Sequence, residues 1–275
     1  MKKALFICTS VFMLTLMGCI EDPALVSQED DEIVQSPNIQ IRINGKVGAQ
    51  PFVLNDTFRI DGYNLKVSLL QYYLCDLTFT QEDGKTVQVL MRDEDGVYGV
   101  RDNALLVNMS NGHGPEGRGY EQIDLIIPEG VYRSMSFGVG LSMPFNWSDF
   151  TQYTTDEDLG AQGMYWGWAA GYRFVKLEGK YDTSRFSSAN IIEPFVYHTG
   201  TDSLFRTVKF DNDFYTVLDE TVKVYEIDLD IAEVFHGPRP MDLPNEDFSH
   251  TLGSAISFTI AEKLTDNLKS AFQRP

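Results

Sequence analysis

Histidine is the residue type in this sequence that is best suited to holding a metal ion, and the chain contains four: His113, His198, His236 and His250. Imidazole nitrogen is a good ligand for copper and zinc, and three of these residues could serve one ion. Taken singly, each is more often a surface or hydrogen-bonded structural histidine. His113 lies in a turn-rich Asn-Gly-His-Gly-Pro stretch and is the weakest candidate, whereas His198 ends a predicted strand, where binding sites are commonly built.

An aromatic segment, Gly163–Phe174, is the second feature with chemical potential. If it is extended, Trp166 and Trp168 share one face of a strand, and small residues beside both indoles allow other groups to approach closely. Two interpretations are open: a packed cluster of the core or edge, or a functional surface that binds through rings or carries an oxidisable tryptophan. Met164 offers a soft thioether for Cu(I), although gap-filling is the commoner role of a buried methionine.

Motifs give no support to an enzymatic function. The His-Glu-x-x-His, Gly-x-Ser-x-Gly and Walker A patterns do not occur in the sequence. Asp93–Gly96 and Asp211–Asp213 are acidic, but neither continues as an EF-hand loop, so acidic turns are expected there. We therefore predict a binding protein that is not an enzyme.

The first 37 residues have the composition of a leader followed by a tether. Two lysines precede an apolar run, Ala4–Met17, whose 14 residues are too few to span a bilayer. The following Gly18-Cys19 completes a stretch that resembles a bacterial lipobox, in which the cysteine becomes the lipidated N-terminus; ordinary signal cleavage is the alternative. We predict a lipoprotein signal peptide over residues 1–18 and an acidic, flexible tether over residues 19–37.

These assignments predict a location and a redox state. The protein would be lipid-anchored at Cys19 in the bacterial cell envelope, at the outer membrane, on its periplasmic or its surface face. Cleavage removes Cys8 and lipidation uses Cys19, so Cys75 remains alone and no intrachain disulfide is expected. Cys75 lies in an apolar run and is predicted to be a small buried hydrophobe.

Composition excludes two further classes of protein. Among 275 residues, 40 Asp and Glu face 22 Lys and Arg, which gives a formal charge of −18. Phosphate backbones repel such a chain, so binding of nucleic acid is not expected. A hydrophobic content of 43% and an aromatic content of 12% suffice to fill a core, so wholesale disorder is excluded.

The elements that must position the candidate residues are predicted to be strands. Short runs of alternating apolar and polar residues follow Pro37, separated by Gly and Asn/Asp turns. In the first run Ile39, Ile41 and Ile43 alternate with polar residues, and Asn44-Gly45 then predicts a hairpin turn. Strands and helices do not alternate, so an antiparallel sandwich or barrel is expected.

Two segments depart from this pattern. Ser142–Gly160 is predicted to be a long loop with one helical turn, and Ser254–Phe272 is predicted to be a helix. The residues of the helix expected to pack on the β core recur at every fourth position: Ile256, Ile260, Leu264, Leu268 and Phe272. We find no repeat or linker after Pro37, so residues 38–275 are predicted to form one domain.

The aromatic segment and several shorter pieces resemble one known family. Gly163–Gly179 is similar to the signature of the MbnP-like copper-binding proteins, named for methanobactin-associated periplasmic proteins. Further pieces that match in the same order are Tyr72–Leu77, Gly130–Gly140, Phe195–Gly200, Ala232–Pro238 and His250–Phe272. The resemblance extends over nearly all of the chain from Asn38 to Phe272.

The resemblance implies a fold and a ligand set. Members of that family are β-sandwich proteins that bind copper; in some, a partner di-haem peroxidase oxidises a tryptophan to kynurenine, whose amine joins histidine ligands. Trp166 and Trp168 match the family's Trp-x-Trp, and His198 and His250 match its two recurrent histidine positions.

Two features depart from the family pattern. His236 lies where the family does not usually carry a histidine, so its assignment as a third ligand is our own addition. The segment after Gly140 also differs and retains mainly its closing Asn146, so a loop near the site is expected to be different.

Together these features predict an all-β, antiparallel β-sandwich with a long loop insertion and one C-terminal α-helix. Its predicted function is to bind copper, or another divalent metal, next to the Trp-x-Trp segment, with a di-haem peroxidase as a partner. The predicted residues are His198, His250 and His236 as ligands, with Trp166, Trp168 and Met164 as neighbours or oxidation sites. The alternatives are a metal-free surface lipoprotein that binds glycan or protein through its aromatic cluster and, last, an undetected hydrolase.

Overall fold

The computed structural model describes residues 36–87, 89–92, 98–99, 103–109, 120–182, 190–251 and 253–275. The predicted signal peptide, Cys19, Asp93–Gly96 and His113 lie outside these ranges, as does the predicted tether apart from its last two residues. Within the described ranges, no helix combines the length and the apolar character needed to cross a membrane.

Strands dominate the described chain, with three α-helices between and after them. The strands are β1 (Ile39–Val47), β2 (Gln50–Pro51), β3 (Phe58–Ile60), β4 (Tyr63–Gln81), β5 (Thr86–Val87), β6 (Leu90–Arg92), β7 (Tyr98–Gly99), β8 (Ala104–Asn108), β9 (Tyr120–Ile126), β10 (Gly130–Val139), β11 (Tyr165–Gly167), β12 (Gly171–Tyr172), β13 (Val175–Tyr181), β14 (Glu193–Thr199), β15 (Arg206–Val217), β16 (Lys223–Asp230), β17 (Phe248–His250) and β18 (Phe272–Gln273). The helices are α1 (Met143–Asn146), α2 (Ile231–His236) and α3 (Ala255–Ala271).

Two sheets contain nearly all of these strands, which confirms the predicted all-β sandwich. The first sheet has the order β18-β16-β1-β9-β6-β7, with β2 paired to β1. The second has the order β15-β10-β4-β13-β14-β17, with β3, β5 and β8 also paired to β4, while β11 and β12 form a separate hairpin. Most pairs are antiparallel as expected, but β1 with β16 and β14 with β17 are parallel.

Burial follows the alternation predicted from the sequence. In β1, Ile39, Ile41 and Ile43 are buried while the residues between them are partly exposed. Aromatic rings join the two sheets: the ring centroid of Phe272 in β18 lies 5.8 Å from that of Tyr72 in β4 and 5.2 Å from that of Phe137 in β10. Such ring pairs contribute about 0.5–1.5 kcal/mol each beyond the burial of their area.

The prediction of a hairpin turn at Asn44-Gly45 is wrong. β1 continues through both residues, and the chain turns at Gly48, whose φ of 59° lies in the left-handed region. The side-chain amide of Asn44 donates to Glu226 on β16 at 2.9 Å, and the parallel pairing runs on to Lys46. Pairing with a neighbouring strand therefore outweighs the local turn preference.

The predicted C-terminal helix is present, with one exposed residue in its apolar stripe. α3 begins after Ser254, whose hydroxyl accepts a hydrogen bond from the Ser257 N–H at 3.1 Å. Ile260, Leu264 and Leu268 are buried, but Ile256 is 75% exposed. A spacing of four residues advances by about 40° around a helix at each step, so the first member of the stripe lies furthest from the centre of the buried face.

A shared carboxylate fastens α3 to its surroundings. Asp266 accepts hydrogen bonds from Arg206 Nε at 2.6 Å and from Arg239 Nη1 at 2.8 Å. Burial raises the pKa of the Asp266 carboxyl, but these two hydrogen bonds outweigh it and bring the pKa below its ordinary value. The ionised form is therefore the one that stabilises the fold.

We predict that Asp266→Asn lowers the free energy of unfolding by about 1–2 kcal/mol at pH 7, since it removes two charge-assisted hydrogen bonds at a partly exposed site. Because the folded pKa is the lower one, the contribution of Asp266 is complete above an unfolded pKa of about 3.9 and is lost as the pH falls. Urea unfolding at pH 7 and at low pH measures both effects.

Glu262→Gln, which neutralises another carboxylate of the same helix, is the matched control and should leave stability nearly unchanged. Equal losses of unfolding free energy in the two variants would show that Asp266 acts through the net charge of the protein and not through its two hydrogen bonds.

Candidate metal centre

The two histidines matched by the family resemblance lie side by side on the second sheet. Parallel pairing of β14 with β17 places His198 directly opposite His250. Their rings are stacked, with centroids 4.6 Å apart and planes inclined by 21°. The structure thus brings together two imidazoles that are distant along the chain.

Strand alternation puts these residues on the face opposite the core. In β14 the neighbours of His198, Tyr197 and Thr199, are buried, while His198 itself is partly buried. β13 pairs antiparallel with β14 and places Lys176 opposite His198, with Glu178 two residues further on the same face. The face therefore carries two imidazoles, an ammonium and a carboxylate.

A hydrogen bond with Glu178 determines which nitrogen of His198 is available to a ligand. Nε2 of His198 lies 2.7 Å from Oε1 of Glu178. A carboxylate only accepts, so Nε2 carries the proton and Nδ1 keeps its lone pair. Nδ1 is buried and has no hydrogen-bond partner among the described residues.

Both imidazoles are neutral near pH 7. Burial lowers the pKa of His198, and the hydrogen bond with Glu178 offsets this only in part. The pKa of His250 is also lowered, first by burial and then by the positive charge of Arg173. Neutral imidazole is the form that binds metal ions.

Trp166 is the indole that belongs to this site. Its ring centroid lies 6.4 Å from that of His250, and the guanidinium carbon of Arg173 lies 4.9 Å from the centre of its ring. The ring of Trp166 packs closely against Gly200. A Cβ at this position would lie 2.7 Å from Cζ3 of Trp166 and would collide with the Tyr172 carbonyl oxygen.

Trp168 lies in a different environment, so the two indoles do not share a face. β11 ends at Gly167, whose φ of 135° turns the chain. Trp168 follows in that turn, is 66% exposed, and meets the ring of Tyr165 edge-on at 6.2 Å. The segment is thus not extended through both tryptophans, which was the condition for a shared face.

Asn146 holds the aromatic hairpin against the rest of the molecule. Its buried side chain accepts from the Tyr172 N–H at 2.9 Å and donates to Asp202 at 2.8 Å. Gly171 lies directly beside it with a φ of 66°, where a Cβ would collide with the Asn146 side chain. Asn146 therefore links the loop after β10 to the hairpin that carries Trp166.

The helix α3 positions the second histidine. The hydroxyl of Ser257 accepts from the His250 N–H at 2.8 Å and donates to the His250 carbonyl at 2.7 Å. Ser249 next to it donates to the Ser257 carbonyl at 2.6 Å. The backbone of β17 is thus tied to the first turn of α3.

Of the other two predicted site residues, one pairs with Asp61 and the other is buried in the core. His236 ends α2, is 62% exposed in its side chain, and places Nδ1 2.7 Å from Oδ1 of Asp61. Met164 is fully buried in the hydrophobic core. Within the described ranges no group of three or more His, Cys, Asp or Glu side chains is arranged to hold a metal ion, so His236 does not complete a three-histidine set.

Arg173, Lys176 and Glu178 were not singled out as functional by the sequence analysis. All three lie within the segment that resembles the family signature. The available signal was the alternation of Lys176 and Glu178 with apolar residues in β13, which predicts that both point away from the core. Only the register with β14 shows that the two residues lie beside His198.

The donor set fits a metal ion that needs few protein ligands. A buried imidazole nitrogen without a partner, oriented by a carboxylate on its other nitrogen, is the arrangement found around metal-binding histidines. His250 would supply a second imidazole. Copper accepts such nitrogen ligands, whereas structural zinc sites use four protein ligands and catalytic ones commonly three.

Comparisons with known proteins give the family. No curated protein matches the chain. The structure is similar to that of MbnP from Methylosinus trichosporium, with a TM-score of 0.52 and 16% identity over 79% of this chain and 81% of that chain, a likeness that shows the shared fold. The family model described as MbnP matches residues 36–253. This match includes every strand except β18 and includes the paired histidines, and the chain therefore belongs to the MbnP family.

Proposed function

We propose that this protein binds a copper ion through Nδ1 of His198 and a ring nitrogen of His250, beside Trp166, and holds the ion without catalysing a reaction. The observation that carries the proposal is the buried Nδ1 of His198, which has no partner among the described residues. A buried polar atom left without a partner costs about 1–3 kcal/mol, and a metal ion at this lone pair would satisfy it.

Glu178 has a supporting role in this proposal. By accepting from Nε2 it holds the ring in the tautomer whose Nδ1 can bind a metal, and it raises the basicity of that nitrogen. Removing such a supporting carboxylate typically weakens metal affinity about 10- to 100-fold. Copper is preferred to zinc because the described side chains supply two imidazoles and no further clustered ligand.

The positions of the indoles support Trp166 as the one whose oxidation product could reach the imidazoles. Trp166 lies beside His250, whereas Trp168 lies in the exposed turn against Tyr165. A kynurenine formed by a partner di-haem peroxidase would join the imidazoles only if it formed at Trp166. Oxidation at Trp168 would place the product away from both histidines.

The proposed location depends on the N-terminal sequence alone. A lipid at Cys19 would anchor the domain to the bacterial cell envelope, and the acidic residues of 19–37 would extend as the tether. We propose the outer membrane, with the domain on its periplasmic or its surface face.

We predict that the purified domain, residues 36–275, binds copper in a near one-to-one ratio and that His198→Ala and His250→Ala each abolish stoichiometric binding. Glu178→Gln should weaken affinity about 10- to 100-fold. Elemental analysis after dialysis and competition with a chelator measure these effects.

His236→Ala is the matched control for this experiment, because it removes an imidazole that pairs with Asp61 outside the site. It should bind as much copper as the wild type. Full binding by His198→Ala would refute the assignment, and loss of binding in His236→Ala would restore that residue as a ligand.

The affinity for copper should hold at pH 6.5, the ordinary pKa of histidine, and decrease only at lower pH. Burial lowers the pKa of both imidazoles, so the neutral, binding form extends below that pH, and affinity is lost once the pH passes through the lowered pKa values. Chelator competition over a descending pH series, with the imidazole titration of the copper-free protein followed by NMR, tests this. An affinity that stays constant while the imidazoles titrate would contradict imidazole ligands.

The exposed aromatic turn supports a second candidate function, binding of a glycan or a protein without metal. Trp168 is 66% exposed, and behind it the Tyr165 and Phe150 rings stack at 4.7 Å with planes inclined by only 3°. A rigid exposed indole of this kind suits stacking on a sugar or a partner's ring.

This second function predicts that Trp168→Ala abolishes a hit on a glycan array while leaving the melting temperature nearly unchanged. Trp147→Ala is the matched control, because it also removes an exposed indole. That indole donates to Asp202 and is not part of the turn that carries Trp168. This candidate would be favoured over the first by two results together: copper leaves the melting temperature unchanged, and only Trp168→Ala loses the glycan-array hit.

A further inference from the structure

Two positive side chains flank the proposed copper site, which is unusual for a site that takes a cation. Nη1 of Arg173 donates to the Gly163 carbonyl oxygen at 2.8 Å. Nζ of Lys176 lies 3.7 Å from the point that a Cβ of Gly163 would occupy. The guanidinium and the ammonium therefore both lie near Gly163, Arg173 over the ring of Trp166 and Lys176 on the strand position opposite His198.

These two charges are only partly offset in the described part of the chain. The carboxylate of Glu178 attracts both of them, but it is a single negative charge and its Oε1 is engaged by His198. Arg173 and Lys176 form no ion pair with a described carboxylate, and Nε of Arg173 is buried without a hydrogen-bond partner. A copper ion added here would join two fixed positive charges and one carboxylate.

We propose that Arg173 and Lys176 form an anion site that holds a small carboxylate next to the copper ion, where it completes the coordination that the two imidazoles leave open. This inference rests on the proposed copper function. An arginine fork matches the geometry of a carboxylate, and the ammonium adds a second positive charge. The anion offsets the repulsion between the cations and the metal ion.

Two buried atoms of opposite hydrogen-bonding character support this pairing. Nδ1 of His198 is an acceptor without a donor, and Nε of Arg173 is a donor without an acceptor. A metal ion satisfies the first and a carboxylate oxygen satisfies the second. A copper ion with a carboxylate bound to it would therefore satisfy both atoms. The class of ligand we infer is a carboxylate-bearing molecule, either free or already chelating the copper ion.

Formate is the probe that tests the anion site, and the domain is used both copper-free and loaded with Cu(II). In the copper-free protein, formate should shift the NMR resonance of the Arg173 Nε–H saturably. In the loaded protein it should change the Cu(II) electron paramagnetic resonance spectrum over the same range of concentration. Lys176→Met should raise the formate dissociation constant about tenfold in both forms, as expected for the loss of one nearby charge at a partly exposed site.

Lys180→Met is the matched control, because Lys180 lies on the same strand but opposite Pro194 and away from the histidines. It should bind formate as the wild type does. The inference is overturned if formate produces no saturable shift, which is the result expected if water alone satisfies Nε of Arg173, or if Lys176→Met and Lys180→Met behave alike.

The two proposals fail in distinguishable ways. If copper binds but its spectrum does not respond to formate, the proposed function stands and the anion inference is overturned. If copper does not bind, the proposed function fails, and with it the role of the anion as a ligand to copper. The copper-free titration then decides whether Arg173 and Lys176 form an anion site of their own.

Discussion

The parallel pairing of β14 with β17 is the constraint on which the candidate site depends. It aligns His198 with His250 across neighbouring strands, and no local feature of either segment could do so. Parallel neighbours need a long crossover, and here β15, β16 and α2 all lie between the two strands in the chain. The site therefore exists only once most of the C-terminal half has folded.

Several supports converge on this one strand pair. Ser257 fixes the backbone of β17 to α3, Glu178 orients the ring of His198, and Gly200 leaves room for Trp166. Asn146 fixes the hairpin that carries the indole. Each support comes from a different part of the chain, so the imidazoles and the indole are held by rigid elements as an ordered binding site requires.

Electrostatics at the site keeps both imidazoles in the neutral form. Burial lowers their pKa values first, and the neighbouring guanidinium of Arg173 disfavours a further positive charge on them. That guanidinium and the ammonium of Lys176 oppose a bound metal ion unless an anion accompanies it. This balance connects the proposed copper function with the inferred carboxylate, whose negative charge would offset the charge of the metal ion beside Arg173 and Lys176.

Local patterns predicted much of the fold. Alternation in Ile39–Ile43 and the four-residue spacing of Ile260–Leu268 correspond to buried faces in the structure, because side chains repeat with the period of the element that carries them. The predictions of a turn at Asn44-Gly45 and of a buried Ile256 were wrong. Strand pairing and the limits of the buried helix face are properties of the assembled molecule.

The identity of the candidate residues was determined by the sequence: few histidines, an aromatic segment, and a resemblance that marks His198, His250, Trp166 and Trp168. Their arrangement was decided by the tertiary structure alone. It placed His236 with Asp61, separated Trp168 from Trp166, and brought Arg173 and Lys176 beside the imidazoles. The physical reason is that register and strand order are set by long-range pairing and packing, which leave no periodic signal in a single segment.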